Sequence, residues 1–308
     1  MRPTLRQIEY FIAVADQGSF GAAADSLAVS QPGLSKQIMT MEDELGVLLF
    51  ERTSRRVTLT PLGRSLLGRA RSILQEVSEF RALARGSVGL FGDRLSVGVL
   101  PSIGAYFMPI ANRRLHTLYP DLRLVVQEGA TDTLLDLLRE GQLDAVIATP
   151  SRDPAFQSVP LFTETLWICA ASDDPLSRDT GTLPLEALAE RPLLSLGPDF
   201  ALTGIVERLA AEIGTYVSHD YRGSSLDAVR QMAVMGAGVA VLPSLYALAE
   251  AVRDPDFVVR RIDHPEAVHE IALHWRRRSP VSQDFEQLAS ELIVVKKEIL
   301  AQRDERLQ

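Results

Sequence analysis

The stretch from Gly18 to Gly63 limits the possible fold more than any other part of this chain of 308 residues. It contains two short runs with apolar residues at helical spacing, and the tetrapeptide at 29–32 separates them. Ser30 is suited to cap the second helix, and Pro32 fits its first turn, where a missing N–H costs no hydrogen bond. The apolar face of that helix would consist of Leu34, Ile38, Met41 and Leu45. The pattern predicts a helix-turn-helix, in which the second helix enters the major groove of DNA.

Polar residues near the start of the second helix are the candidates for contact with bases or nearby phosphates. The predicted set consists of Ser30, Gln31, Pro32, Ser35, Lys36 and Gln37. An ordinary pair of surface helices would show the same spacing, so the helix pair alone leaves both readings open.

A basic turn between two short strands follows the helix pair. The apolar pattern places Phe50 in the core, and apolar and polar residues alternate over 57–60 as in a strand. Together these features predict a two-stranded wing. Arginine holds phosphate oxygens in a forked geometry. The predicted contacts of the wing with the DNA backbone and minor groove are Arg52, Thr53, Arg55 and Arg56. With the wing attached, DNA binding is favoured over the surface-helix reading.

These residues resemble the DNA-binding domain of the LysR-type transcriptional regulators. The matching segments are Leu5–Phe11, Gly18–Phe20, Ala22–Ala24, Ser30–Pro32, Leu34–Ser35, Glu42–Gly46, Leu49–Arg52 and Leu59–Gly63. The resemblance implies a homodimer or a homotetramer bound to double-stranded DNA, with RNA polymerase as a further candidate partner. Two recognition helices per dimer imply an imperfect palindromic operator.

The formal net charge of −8 is unevenly divided along the chain. Residues 1–92 contain 11 Lys and Arg against 9 Asp and Glu, whereas the remaining residues contain 21 against 31. The acidic part would repel DNA, which favours a separate sensing role for it. One cysteine, Cys169, excludes an internal disulfide. Without a signal-peptide profile or an apolar run of membrane-spanning length, we expect a cytoplasmic protein that binds no membrane.

A heptad pattern links the two parts. A helix from Pro61 to about Arg85 would carry a seam formed by Leu66, Ala70, Ile73, Val77, Phe80 and Ala84. The spacing favours pairing with another helix, and the resemblance implies that this linker pairs two subunits; the alternative is a helix packed on its own domain. We therefore expect a DNA-binding domain at 1–62, a linker with its hinge at 63–92, and an effector domain at 93–308.

Strands alternate with helices after Arg94, which predicts a parallel sheet with right-handed crossovers. One helix is expected from about Ile103 to Leu118, and another near Thr203–Ile213. The expected fold class is α/β: an N-terminal winged helix-turn-helix, a long linker helix and a two-lobed domain like the periplasmic binding proteins. Lobe one would take about 93–163 and 269–308, and lobe two about 164–268.

Hydroxyl groups and apolar residues at predicted strand-to-helix turns mark a candidate ligand cleft between the lobes. The predicted effector-binding set consists of Ser102, Thr131, Phe200, Ala201, Thr203, Ser224 and Ser225. A small organic acid would suit several helix N-termini that meet in one crevice. For each hydroxyl taken alone, an ordinary N-cap is the competing explanation.

Four segments, Leu49–Arg55, Pro101–Gly104, Gln127–Thr131 and Ser225–Met232, resemble the peroxide-sensing OxyR branch of this family. That branch senses through a cysteine pair, but this chain has Ala201 and Ala210 at the matching positions, and Phe200 where a histidine is expected. Alanine cannot supply a thiolate, which speaks against sensing by a disulfide. Cys169 lies in an apolar strand and is expected to be buried and inert. A regulator controlled by a bound small molecule is therefore preferred, with a redox- or peroxide-responsive regulator as the alternative.

Two other classes fit the sequence less well. The five histidines show no metal-ligand spacing, and no nucleophile elbow, phosphate-binding loop or CxxC motif occurs, so we predict no enzyme, no catalytic residue, no metal and no cofactor. An exported solute-binding protein would share the two-lobed fold, but it would have no use for a helix-turn-helix.

Overall fold

Three short helices, a two-stranded hairpin and one long helix form the N-terminal unit. A computed structural model describes residues 3–52, 57–84, 94–179, 181–251 and 257–307. Contacts divide the chain into two units, one built mainly from residues 1–87 and the other from most of the remainder. The elements of the first unit are α1 (Leu5–Gln17), α2 (Phe20–Ser26), α3 (Gln31–Leu45), β1 (Phe50–Arg52), β2 (Val57–Leu59) and α4 (Pro61–Ala84).

Local capping interactions set the ends of the three short helices. The side chain of Thr4 accepts from the Gln7 N–H and that of Gln7 from the Thr4 N–H, which completes a capping box at α1. Ser19 caps α2, and Gly18 ends α1 at a φ of 60°, where glycine is not strained. Helix α2 ends at Ser26 and α3 begins at Gln31, so the two are joined by the short turn at 27–30 and the predicted helix-turn-helix is confirmed.

The first half of α4 belongs to the core of the N-terminal unit. Ala70 is buried there, and Leu66 is partly buried against the same core. Farther along, Ile73 is 43% exposed and Phe80 is 71% exposed. The helix therefore packs one part of the seam in the core of its own unit and leaves another part exposed, and pairing with a second helix stays a prediction.

The second unit is built on a curled mixed sheet. Its elements are β3 (Arg94–Val99), α5 (Pro101–Tyr106), α6 (Met108–Leu118), β4 (Arg123–Glu128), α7 (Thr131–Arg139), β5 (Ala145–Ala148), β6 (Phe156–Ala171), β7 (Leu183–Pro184), β8 (Leu193–Leu194), α8 (Ala201–Glu212), α9 (Leu226–Val234), β9 (Val239–Pro243), α10 (Ser244–Ala251), β10 (Phe257–Asp263), β11 (Val268–Arg276) and α11 (Ser282–Leu307). Strand β3 is parallel to β4 and to β5, as the alternation of strands and helices predicts.

Two antiparallel strands, β6 and β11, connect two separate hydrophobic cores. One core contains β3, β5, α6 and α11, and we call this part lobe one. The other contains β8, α8, α9 and β9, and we call it lobe two. The first half of β6 pairs with β11, and its second half pairs with β9 and β10. The two-lobed α/β fold class is thereby confirmed.

The structure corrects one predicted helix and adds elements that the sequence pattern did not indicate. The expected helix from Ile103 to Leu118 is broken at Phe107 into α5 and α6. Pro109 causes the break, because it has no N–H and its ring obstructs the preceding turn. Helix α10 and strand β10 were not predicted, and α8 begins two residues before Thr203. Among the described residues, no helix combines the length and apolar composition needed to cross a lipid bilayer.

Candidate DNA interface and effector cavity

The first two turns of α3 expose polar side chains on the side opposite its buried face. The Ser30 hydroxyl accepts from the Gly33 N–H at 3.3 Å, so Ser30 caps the helix as predicted. Leu34 and Ile38 are fully buried and anchor the helix. Gln31, Pro32, Lys36 and Gln37 are exposed, and Ser35 is half-buried. Such a helix can lay its outer face in a groove without disturbing its core.

Glu42 fixes the path of the chain from α3 to the wing. Its carboxylate oxygen Oε1 accepts from the N–H groups of Leu49 at 2.8 Å and Phe50 at 3.1 Å, and the residue is 5% exposed. Charge-assisted bonds of this kind are shorter and stronger than neutral ones. Sequence reasoning missed this role, although Glu42 follows Ile38 by four residues and so falls on the buried face of α3.

The wing is present as an antiparallel pair, with Phe50 opposite Leu59 and Arg52 opposite Val57. Arg52 is the last residue of β1. Three predicted contacts, Thr53, Arg55 and Arg56, lie outside the described residues.

A small cavity separates the lobes where several strands end. Lobe one contributes the end of β3 and the start of α5, lobe two contributes the starts of α8 and α9 and the end of β9, and β11 contributes one side chain. Its lining consists of Leu100, Pro101, Ser102, Leu196, Phe200, Ala201, Leu202, Leu226, Pro243 and His269. The space open to the centre of a water-sized molecule is about 10 Å³, which corresponds to about one water.

Three of the predicted effector residues, Ser102, Phe200 and Ala201, meet in this cavity. Ser102 is 3% exposed, and its hydroxyl forms no hydrogen bond with the part of the chain that the structure describes. Phe200 occupies the N-cap position of α8, but its side chain accepts no hydrogen bond from the helix. The first amides of α8 therefore keep their partial positive charge. Among these lining residues, no Lys, Arg, Asp or Glu supplies a full charge.

The other four predicted residues are placed elsewhere. Thr203 does not line the cavity: it is 1% exposed, and its hydroxyl donates to the carbonyl of Leu196 at 2.9 Å, so it holds the loop before α8 from inside lobe two. Ser225 is the N-cap of α9, because its hydroxyl accepts from the Ala228 N–H at 3.2 Å; this is the N-cap alternative raised by the sequence. Ser224 beside it is exposed. Thr131 does not line the cavity, but its buried Oγ1 has no hydrogen-bond partner within the described residues.

His269 is a cavity residue that sequence reasoning did not select. It lies opposite Glu164 across the β6–β11 pair, with Nδ1 3.9 Å from a carboxylate oxygen of Glu164 and Nε2 2.9 Å from Oγ1 of Thr149. Burial lowers the pKa of His269 to about 4, which leaves the imidazole neutral at neutral pH. The sequence carries no signal for this site, because the strand register creates it.

Cys169 is fully buried in β6, where it packs in the core of lobe two. A thiol in such apolar surroundings is inaccessible to solvent oxidants.

Comparisons with known proteins agree with both units. Residues 5–64 match the family model described as bacterial regulatory helix-turn-helix protein, lysR family, and residues 89–293 match the LysR substrate binding domain. The hydrogen peroxide-inducible genes activator of Escherichia coli O6:H1 is 36% identical over 286 residues, which covers 92% of this chain and 93% of that protein.

Two solved structures extend the comparison to the fold. A cysteine-to-aspartate variant of full-length OxyR from Pseudomonas aeruginosa superposes with a TM-score of 0.78 at 32% identity, covering 95% of each chain. Full-length CbnR in complex with its target DNA gives a TM-score of 0.66 at 26% identity, covering 94% of this chain and 99% of that one.

Proposed function

Because the chain belongs to the LysR family of bacterial transcriptional regulators, we propose that the N-terminal unit binds an operator and that a small effector bound between the lobes controls the response. Family membership makes the chain a DNA-binding regulator rather than an enzyme. The DNA-binding proposal rests on α3, whose first turns are exposed while its opposite face is buried and its N-terminus is capped. A regulator of this kind acts in the cytoplasm, with RNA polymerase as a further partner.

The proposed DNA contacts are those of the sequence prediction: Ser30, Gln31, Pro32, Ser35, Lys36 and Gln37 on α3, and Arg52, Thr53, Arg55 and Arg56 on the wing. The side chains on α3 would meet bases and adjacent phosphates, and the arginines would hold the backbone. Exposure of Ile73 and Phe80 on α4 supports pairing of two such helices, which gives a homodimer or a homotetramer and an imperfect palindromic operator.

The proposed effector is a small organic acid held between the hydroxyl of Ser102 and the start of α8; because the cavity has room for about one water, the lobes would have to move apart around Ser102 to admit it. Helix N-termini attract anions, and Ser102 offers a hydroxyl without another partner among the described residues. Since Ser102 belongs to lobe one and Ala201 to lobe two, a ligand that contacts both favours one arrangement of the lobes.

Peroxide is the second candidate cue, because a relative that covers nearly the whole chain is named a hydrogen peroxide-inducible genes activator. An internal disulfide is excluded as the sensing step, because Cys169 is the single cysteine and it is buried. Ala201 and Ala210 lie on one helix, nine positions apart, so their Cα atoms are separated by about 13 Å along its axis. A disulfide links Cα atoms less than about 7 Å apart, so cysteines at these positions would also require α8 to unwind.

A thermal-shift experiment on the intact protein tests the effector proposal. With formate, acetate, pyruvate and hydrogen peroxide as probes, we expect one of the acids at saturating concentration to raise Tm by about 5 °C or more. Ser102→Ala should abolish that shift. Ser225→Ala is the matched control: loss of the α9 cap lowers the starting Tm but leaves the ligand shift intact.

A shift that survives in Ser102→Ala would contradict the cavity as the binding site. A shift with peroxide alone would favour the second candidate over an organic acid.

A further inference from the structure

Helix α5 has one end at the cavity and the other against lobe two. Ser102, in its first turn, lines the cavity. Tyr106, one turn later, packs against the cores of both lobes, and its hydroxyl donates to Oε1 of Glu250 at 3.0 Å. Any displacement of Ser102 by a bound molecule is therefore carried along one rigid turn to a contact between lobes.

A second connection runs from the opposite wall of the cavity to the same place. Leu226, the first residue of α9, lines the cavity, and the next residue, Asp227, accepts a hydrogen bond from the hydroxyl of Tyr246 on α10. Tyr246 is 1% exposed, and its ring meets that of Tyr106 edge to face, with centroids 5.4 Å apart and planes at 83°. Aromatic pairs in this geometry add stability beyond the area that they bury.

Helix α10 is placed to respond to both connections. Leu245 packs in the core of lobe one, whereas the next residue, Tyr246, packs in the core of lobe two. Glu250, 8% exposed, accepts the Tyr106 hydrogen bond, and moving a donor away from a buried carboxylate costs free energy. The boundary between the lobes therefore has a preferred packing rather than a freely sliding surface.

We propose that Tyr106, Tyr246, Glu250 and Asp227 form an inter-lobe latch that converts occupancy of the cavity into a change in the packing of the two lobes. The latch rests on the proposed function for the identity of the cue, but its mechanical coupling can be measured without any ligand. In this role the four side chains act as positioning residues and do not contact the effector. Spreading Ser102 and Leu226 apart has to move Tyr106 or Asp227 relative to α10.

Hydrogen–deuterium exchange on the intact protein tests the contact itself. Tyr106→Phe keeps the ring but removes the hydroxyl that donates to Glu250, so amide exchange in peptides covering 101–106 and 244–251 should accelerate about tenfold. The core strands β3 and β9 should exchange as in the parent protein. Tyr119→Phe is the matched control, because it removes a tyrosine hydroxyl that bonds Gln287 within lobe one.

The coupling is tested by filling the cavity with a side chain. Ala201→Phe, or Ala201→Leu if the larger residue prevents folding, places extra volume beside Ser102 and should change exchange at 244–251 by at least about threefold. When the same substitution is added to Tyr106→Phe, that change should disappear, because sites that are coupled through one set of contacts give non-additive effects.

Three results would overturn the latch: unchanged exchange at 244–251 in Tyr106→Phe, equal acceleration in β3 and β9, or the same effect of Ala201→Phe in both backgrounds. If the coupling is found while Ala201→Phe leaves DNA binding unaltered, the latch stands and the proposed role of the cavity in regulation fails. The two proposals can thus be separated.

Discussion

Replacing Glu42 by alanine is expected to destabilise the N-terminal unit by about 3 kcal/mol and to remove most DNA binding. The carboxylate is buried and accepts hydrogen bonds from the N–H groups of Leu49 and Phe50. Alanine would leave these two donors unsatisfied where water has little access, and buried unsatisfied groups are costly. Since the same bonds set where β1 begins, the wing would also lose its position relative to α3.

Urea unfolding and fluorescence anisotropy with duplex DNA would measure both effects in one preparation. Glu42→Gln keeps an acceptor oxygen and should lie between the parent and Glu42→Ala. Asp43→Ala is the matched control, because Asp43 is an exposed acidic residue of the same helix; it should change stability by less than about 0.5 kcal/mol. Parent-like stability and binding in Glu42→Ala would show that the carboxylate does not position the wing.

The second large effect is expected on sequence-specific binding. Gln31→Ala combined with Gln37→Ala should reduce affinity for a preferred DNA sequence about a hundredfold, because each glutamine can pair with a base edge in the major groove. Both side chains are exposed, so the melting temperature should not change. Affinity for DNA of unrelated sequence should fall much less, since phosphate contacts supply it.

Two controls separate base contacts from charge and from general surface effects. Lys36→Ala should lower affinity for all duplexes to a similar extent and reduce the salt slope by about one. Gln127→Ala removes an exposed glutamine of the other unit and should leave binding unchanged. Equal losses on preferred and unrelated DNA in the double glutamine variant would contradict base recognition by these residues.

The helix-turn-helix of the N-terminal unit was predictable because its sequence signals are local. Ser30, Pro32 and Gly46 mark the ends of α3 within the sequence of the helix itself, and the buried stripe follows helical spacing. The overlooked Pro109 was also a local signal, and including it would have divided the predicted helix correctly. The tip of the wing, with Arg55 and Arg56, stays a prediction.

The cavity was only partly predictable because long-range register forms it. A hydroxyl before a helix is more often a cap than a ligand contact, and only the fold shows that Ser225 caps α9 whereas Ser102 faces the cavity. Thr203 turns inward because the loop before α8 brings the Leu196 carbonyl within its reach. His269 meets Glu164 through strand pairing between segments far apart in the chain, which no short-range pattern encodes.

Selection of bound DNA from a random duplex library, with the intact protein, tests most directly whether the exposed start of α3 reads a DNA sequence. We expect enrichment of two inverted half-sites with centres about 10 base pairs apart or a multiple of that spacing. The combined Gln31→Ala and Gln37→Ala variant should lose or alter that preference. Recovery of DNA without any enriched sequence, or of the same sequence by the parent and the variant, would contradict recognition through α3.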